Sequence, residues 1–163
     1  MKNVKFLLSA ALVFLASAAL AQDFSAPQYA KWGATPEERE QNILNSNFLK
    51  ESCDNRDYDA AAHYLKGLID KIPDAAESIY QRGAVVYKNK INRAKSVAEK
   101  NMFIDSLMLM YDMRAQYFGD NVKPGKTAFI LDQKAREFLR YKPNDRKGIR
   151  EAFRAAIAQG GDS

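Results

Sequence analysis

The chain contains a single cysteine, Cys53, and a single histidine, His63, among 163 residues. One cysteine excludes an internal disulfide, so stability must come from packing. Cys53 reads as a small, buried apolar group, with a reactive or intermolecular thiol as the alternative. One histidine leaves any His-based triad or zinc site dependent on His63 alone. No glycine-rich phosphate loop is present. Pro124-Gly125-Lys126-Thr127 holds a Gly-Lys-Thr fragment but lacks the upstream glycine spacing and a preceding strand, so it reads as a helix start. No Lys/Arg run is dense enough to point to nucleic acid. No stretch alternates as a strand does, and beyond residue 21 no long apolar run follows.

What is there begins with residues 1–21. Lys2 and Lys5 form a basic start, Phe6 to Leu20 is almost wholly apolar, and Ala19-Leu20-Ala21 is a small-x-small cleavage site. This pattern predicts a signal peptide cut near Ala21-Gln22, and an exported chain that is periplasmic or secreted. The apolar run is short for a membrane anchor, and no membrane span is expected in the mature chain. Removing the leader takes two of 25 basic residues and leaves 23 against 20 acidic ones. Residues 120–163 hold 10 Lys/Arg and 6 Asp/Glu, a mild basic bias that suits an anionic partner or an ordinary solvated surface.

Residues 22–34 read as an irregular lead-in, 35–159 as one helical domain, and 160–163 as a tail. Thr35-Pro36-Glu37-Glu38 is a capping box with proline at the first helical position. It opens helix one, which is predicted to run to about Asn55 with Leu44 and Phe48 inward. Asp57 caps helix two, whose Tyr58, Ala61, Leu65, Leu68 and Ile72 share one helical face. Pro73 ends it. Asp74 with Glu77 reads as the next cap, and helix three carries Ile79, Gly83, Val86, Tyr87 and Ile91 inward.

Ser96 with Glu99 opens helix four. Val97, Ile104, Met108, Tyr111, Ala115 and Phe118 form one apolar stripe, and Phe103, Leu107, Met110 and Tyr117 another. Two stripes imply burial on two sides. Gly119 is the expected C-cap. Pro124 is expected to start helix five, with Ala128, Leu131, Ala135 and Phe138 inward. Helix six follows Lys142-Pro143-Asn144, with Ile149, Ala152, Phe153 and Ala156 on one face and Gly160-Gly161 as its stop. The fold class is all-α: six helices in about three antiparallel hairpins.

Residues 57–87 resemble the tetratricopeptide repeat (TPR) family. Asp57-Tyr58 opens the second helix of a hairpin, the small Ala61 follows, Pro73 closes the hairpin, and Gly83 sits in the next first helix. Glycine inside a helix costs about 1 kcal/mol against alanine, which close helix packing offsets. Ile79 and Leu68 stand where the family favours an aromatic and a small residue. The hairpin after Gly83 overruns the period of about 34 residues. The segment Asp105 to Arg114 ending in Tyr117-Phe118-Gly119, and the entry Trp32 to Glu37, resemble exported TPR-like proteins of Gram-negative bacteria. The resemblance implies a right-handed α-solenoid that works as an interaction scaffold. Arg146, Lys147, Arg150 and Arg154 would give helix six the polar face of a capping helix.

In such a stack the first helix of each hairpin lines a concave surface. The expected binding residues are Asn45, Asn47, Tyr80, Arg82, Tyr87, Lys90, Asp132 and Arg136, types suited to an extended peptide and its carboxylates. Asp105 and Asp112, seven apart on helix four, read as a carboxylate pair or as polar anchors, Asp112 pairing with Arg114 or a neighbouring helix. A Cys53–His63 pair has no supporting motif. The chain is expected to be non-enzymatic, with no cofactor or metal, and to bind a protein or peptide. The alternative is a structural envelope component that self-associates or contacts anionic glycan or lipid.

Overall fold

The computed structural model describes residues 22–160. The expected leader over 1–21, and Gly161 in the tail, lie outside the described residues. Those described form a 3-10 helix, Pro27–Trp32, and six α-helices: α1 (Pro36–Asp54), α2 (Tyr58–Lys71), α3 (Glu77–Arg93), α4 (Val97–Phe118), α5 (Lys126–Tyr141) and α6 (Arg146–Gly160). Among the described residues no strand occurs, and no helix is long and apolar enough to cross a membrane. The fold is all-α.

Local sequence accounts for most starts and stops. Thr35 Oγ1 accepts from the Glu38 amide and the Glu38 carboxylate accepts from the Thr35 amide, so the expected capping box opens α1. Asp57 caps α2 through the Ala60 amide. Ser96 accepts from the Glu99 amide at the head of α4, while Glu99 reaches back one residue further, to the Lys95 amide. Two starts differ from expectation. Asp74 does not cap α3; the cap position is Ala76, and the helix begins at Glu77. Residues 72–75 make a turn in which the Ala75 amide donates to the Ile72 carbonyl, and this delays the helix. Pro124 does not open α5 either. Gly125, in the left-handed region at φ 77°, precedes Lys126, and Asp120 supplies the cap from a distance by accepting from the Thr127 amide.

The lead-in is ordered, not irregular. Arg39 on α1 donates from Nε to the Gly33 carbonyl at 2.9 Å and from Nη1 to Phe24 at 3.1 Å. Asn42, buried on α1, donates to the Trp32 carbonyl, and Trp32 packs on the core.

Each helix packs on the next in sequence, and α1 also packs on α3. Two apolar clusters result. The first joins Leu49, the inner face of α2, and Ile79, Tyr80 and Val86 of α3 with Met110 of α4. The second joins Ile91, Ile104, Leu107, Met108, Tyr111 and Ile130. Helix α4 feeds both: Met110, Tyr117 and Phe118 join the first, and Phe103, Ile104, Leu107, Met108 and Tyr111 the second. Val97, placed in one stripe, is 77% exposed, in a first turn where Ala98 and Lys100 are exposed as well. The inner face of α1 is rotated from expectation. Asn42, Ser46 and Leu49 are buried, whereas Leu44 and Phe48 stand 41% and 36% exposed. Two of those three inward residues are polar, so hydrophobicity alone misplaced the face. In α5, Ile130 and Ala135 are buried, and Ile130 was not among the expected inward residues.

Candidate functional site

The α2 apolar face is buried as its spacing predicts, and Gly83 explains how α3 meets it. A Cβ at Gly83 would stand 2.7 Å from Met110 Sδ and 3.2 Å from Leu65 Cδ1. The absent side chain lets α2 and α4 close on α3 from two sides. Ala61 is fully buried in the same cluster. Pro73 contributes its carbonyl, which accepts from the Tyr80 hydroxyl at 2.6 Å.

That hydrogen bond removes Tyr80 from the expected binding surface. Its ring is buried, lies parallel to Tyr117 with centroids 6.3 Å apart, and contacts Phe118. Burial pushes its phenol well above the ordinary value, with the charges of Tyr117 and Asp74 acting in the same direction. Lys90 is also committed elsewhere. It forms an ion pair with Asp59 on α2 and its ammonium sits 5.3 Å from the centre of the Phe103 ring. Tyr87 packs between the two clusters, near Phe103. Asn45 accepts from Gln41 at 3.1 Å and lines a cavity of about 340 Å³ with His63, Tyr64 and Gly67 of α2, so it faces its own partner helix.

Four expected residues keep outward positions. Asn47 is exposed on α1 and Arg82 is half-buried on α3. On α5, Asp132 and Arg136 pair at 2.7 Å along the helix surface. Sequence reasoning missed Gln81, Val85 and Phe129. Val85 is 44% exposed and Phe129 is 56% exposed. Phe129, Asp132 and Arg136 follow i, i+3, i+7 and share a face; Gln81 and Val85 follow i, i+4. Their spacing is legible, but residue type alone does not separate them from the inward residues beside them.

Helices α3, α4 and α5 are joined by charge. Glu77 accepts from Arg114 Nε at 2.9 Å and from Lys126 Nζ at 2.7 Å. Arg114 also donates to Gln133 at 2.9 Å. Burial opposes ionisation of Glu77, but the bonds and charges of Lys126 and Arg114 outweigh it and hold its carboxyl below the ordinary value. A second bridge, Lys88 to Glu137 at 2.5 Å, links α3 to α5.

Cys53 and His63 stand in different surroundings. Cys53 is half-buried against the first cluster, and burial pushes its thiol up, with Arg82 opposing. His63 is exposed on α2, edge-on to Tyr64 at 5.5 Å, and no hydrogen bond joins it to Cys53 among the described residues. Asp112 holds Lys134 of α5 with both oxygens, at 2.5 and 2.7 Å, and Asp105 stays exposed. No group of three or more His, Cys, Asp or Glu able to hold a metal occurs among the described residues.

No protein-family model, curated protein or solved structure matches this chain.

Proposed function

We propose that the chain is an exported, non-enzymatic scaffold of TPR-like architecture that binds an extended protein segment across α1, α3 and α5 in the cell envelope. The observation that carries this reading is that α3 and α5 each keep outward residues of mixed chemistry: exposed Val85 and Gln81 with half-buried Arg82 on α3, and exposed Phe129 and Arg136 with half-buried Asp132 on α5. Exposed apolar side chains set among amide and guanidinium groups suit a peptide, whose backbone needs hydrogen-bond partners and whose side chains need apolar seats. The stack itself is supported by the pairwise packing of α1 with α2, α3 with α4 and α5 with α6 through short turns, and by the packing of α1 on α3. Gly83 supports it further, since it allows the close approach that the repeat resemblance implies.

The test is capture of partners from an envelope extract by the purified protein, repeated with Arg82→Glu and Arg136→Glu together and with Phe129→Ala. Partners lost from both variants support the surface. If every specific partner remains bound to the charge-reversed protein, the α1–α3–α5 surface is wrong. The second reading, self-association in the envelope, is favoured by the opposed charges on the two sides of α6.

A further inference from the structure

The two sides of α6 carry opposite chemistry. One side lines a groove of about 670 Å³ shared with α4 and α5. Met108, Leu109, Phe138 and Ala152 give the groove apolar surface, and Leu109 is 50% exposed there. Gly148 lets α6 close on α5 at the edge of the groove: a Cβ on it would meet the Phe138 ring at 2.7 Å. Four carboxylates line it, from Asp105, Asp112, Asp145 and Glu151, against one cation, Lys134. Asp112 already holds that cation and Lys147 reaches Glu151 at 3.9 Å, which leaves Asp105 and Asp145 without an ion-pair partner among the described residues and the groove with excess negative charge.

The other side of α6 presents Arg146, Arg150 and Arg154 at successive i, i+4 positions, with Ile157 three residues further on. All three arginines are exposed, and none has an ion-pair partner among the described residues. Ile157 is 72% exposed. Like charges spaced four apart weaken a helix, so this row is unfavourable unless a counter-charge meets it. At 100° per residue, the arginine row and the groove residues Glu151 and Ala155 lie on different sides of the helix, so one molecule cannot satisfy itself. The row from Arg146 to Ile157 is about 16 Å long at 1.5 Å per residue, enough to run alongside Asp105 and Asp112, two turns apart on α4.

We propose that a second copy of this chain seats the arginine side of its α6 in the α4–α6 groove, with Ile157 against the apolar surface. The contact is head-to-tail, because the two surfaces differ, and it grows as an open chain unless its rotation closes a ring. It is independent of the peptide-binding surface on α1, α3 and α5.

Sedimentation velocity of the purified protein tests this. Association is expected to rise with concentration and to weaken at least about tenfold when salt is raised enough to screen exposed charges. Two charge-reversed variants decide the pairing: Asp105→Lys with Glu151→Lys, and Arg150→Glu with Arg154→Glu. All four positions are exposed, and circular dichroism checks that each variant folds. Each variant alone is expected to stay monomeric, because its groove and its row then carry like charge. An equimolar mixture is expected to associate again, the two variants alternating. A native protein that stays monomeric at high concentration overturns the proposal, as does a mixture that stays monomeric. A monomer whose groove instead takes a Lys/Arg-rich amphipathic peptide also overturns it, since the occupant is then a different partner.

Discussion

Met110 Sδ occupies the space that a side chain on Gly83 would need, and Leu65 closes it from the other side. Three helices therefore meet at one missing Cβ. Alanine at Gly83 gains about 1 kcal/mol of helix propensity, but overpacking a closed core costs about 1–3 kcal/mol. Because the Met110 side chain can shift and Leu65 is fully buried, the net expectation for Gly83→Ala is a loss of about 1 kcal/mol in urea melts. Gly67 on α2 is the control. Nothing lies within 4 Å of a Cβ there, so Gly67→Ala is expected to stabilise by about 0.5–1 kcal/mol.

Glu77 ties the start of α3 to α4 and α5. Glu77→Gln keeps the shape and removes the charge, leaving Arg114 and Lys126 facing a neutral amide at a site only about a quarter exposed. The expected cost is about 1–2 kcal/mol at neutral pH. The folded protein holds the Glu77 carboxyl below its unfolded value, so its stabilisation is present above the unfolded value of about 4.3 and is lost as pH falls through the depressed folded value. Chemical denaturation at descending pH should show the native protein losing this increment and the glutamine variant lacking it.

The Tyr80 hydroxyl serves the turn after α2. Tyr80→Phe leaves the Pro73 carbonyl without this donor while keeping the ring between Tyr117 and Phe118. A loss of about 1–2 kcal/mol is expected. Partner capture should be unchanged, because the residue belongs to the core; reduced capture by a folded variant would return Tyr80 to the binding surface.

Arg39 gathers the carbonyls of Phe24, Ser25, Gly33 and Ala34. Arg39→Ala is expected to release residues 22–34 while leaving α1 capped by Thr35. Hydrogen exchange should speed up by about tenfold or more over the lead-in, which corresponds to about 1.4 kcal/mol of local stability, and change little in α2.

How much was legible varies from helix to helix, for reasons visible in particular residues. The inner face of α2 was read correctly at Tyr58, Ala61, Leu65 and Leu68, with Ile72 buried at its C-cap, since every inward residue is apolar or small and the spacing is regular. Helix α1 was misread because Asn42 and Ser46 face inward, satisfied or tolerated by neighbours that no local pattern reveals. The outward positions of the expected surface residues were half legible. Residue type placed Tyr80 and Lys90 outward, yet the Pro73 carbonyl across the turn after α2 and Asp59, 31 residues from Lys90, drew them into helix contacts.

The sequence by itself determined that this chain is helical, where the capping boxes at Thr35 and Ser96 begin helices, and that Gly83 needs a close neighbour. These are properties of a few consecutive residues, written in hydrogen-bond capacity, apolar period and the absence of a side chain. Only the tertiary structure decided which neighbour Gly83 meets, which polar residues of α1 turn inward, that Glu77 joins three helices, and that α6 separates an acidic groove from a row of arginines. Each of those depends on contacts between residues far apart in the chain, where the identity of the partner, and not the local pattern, sets the outcome.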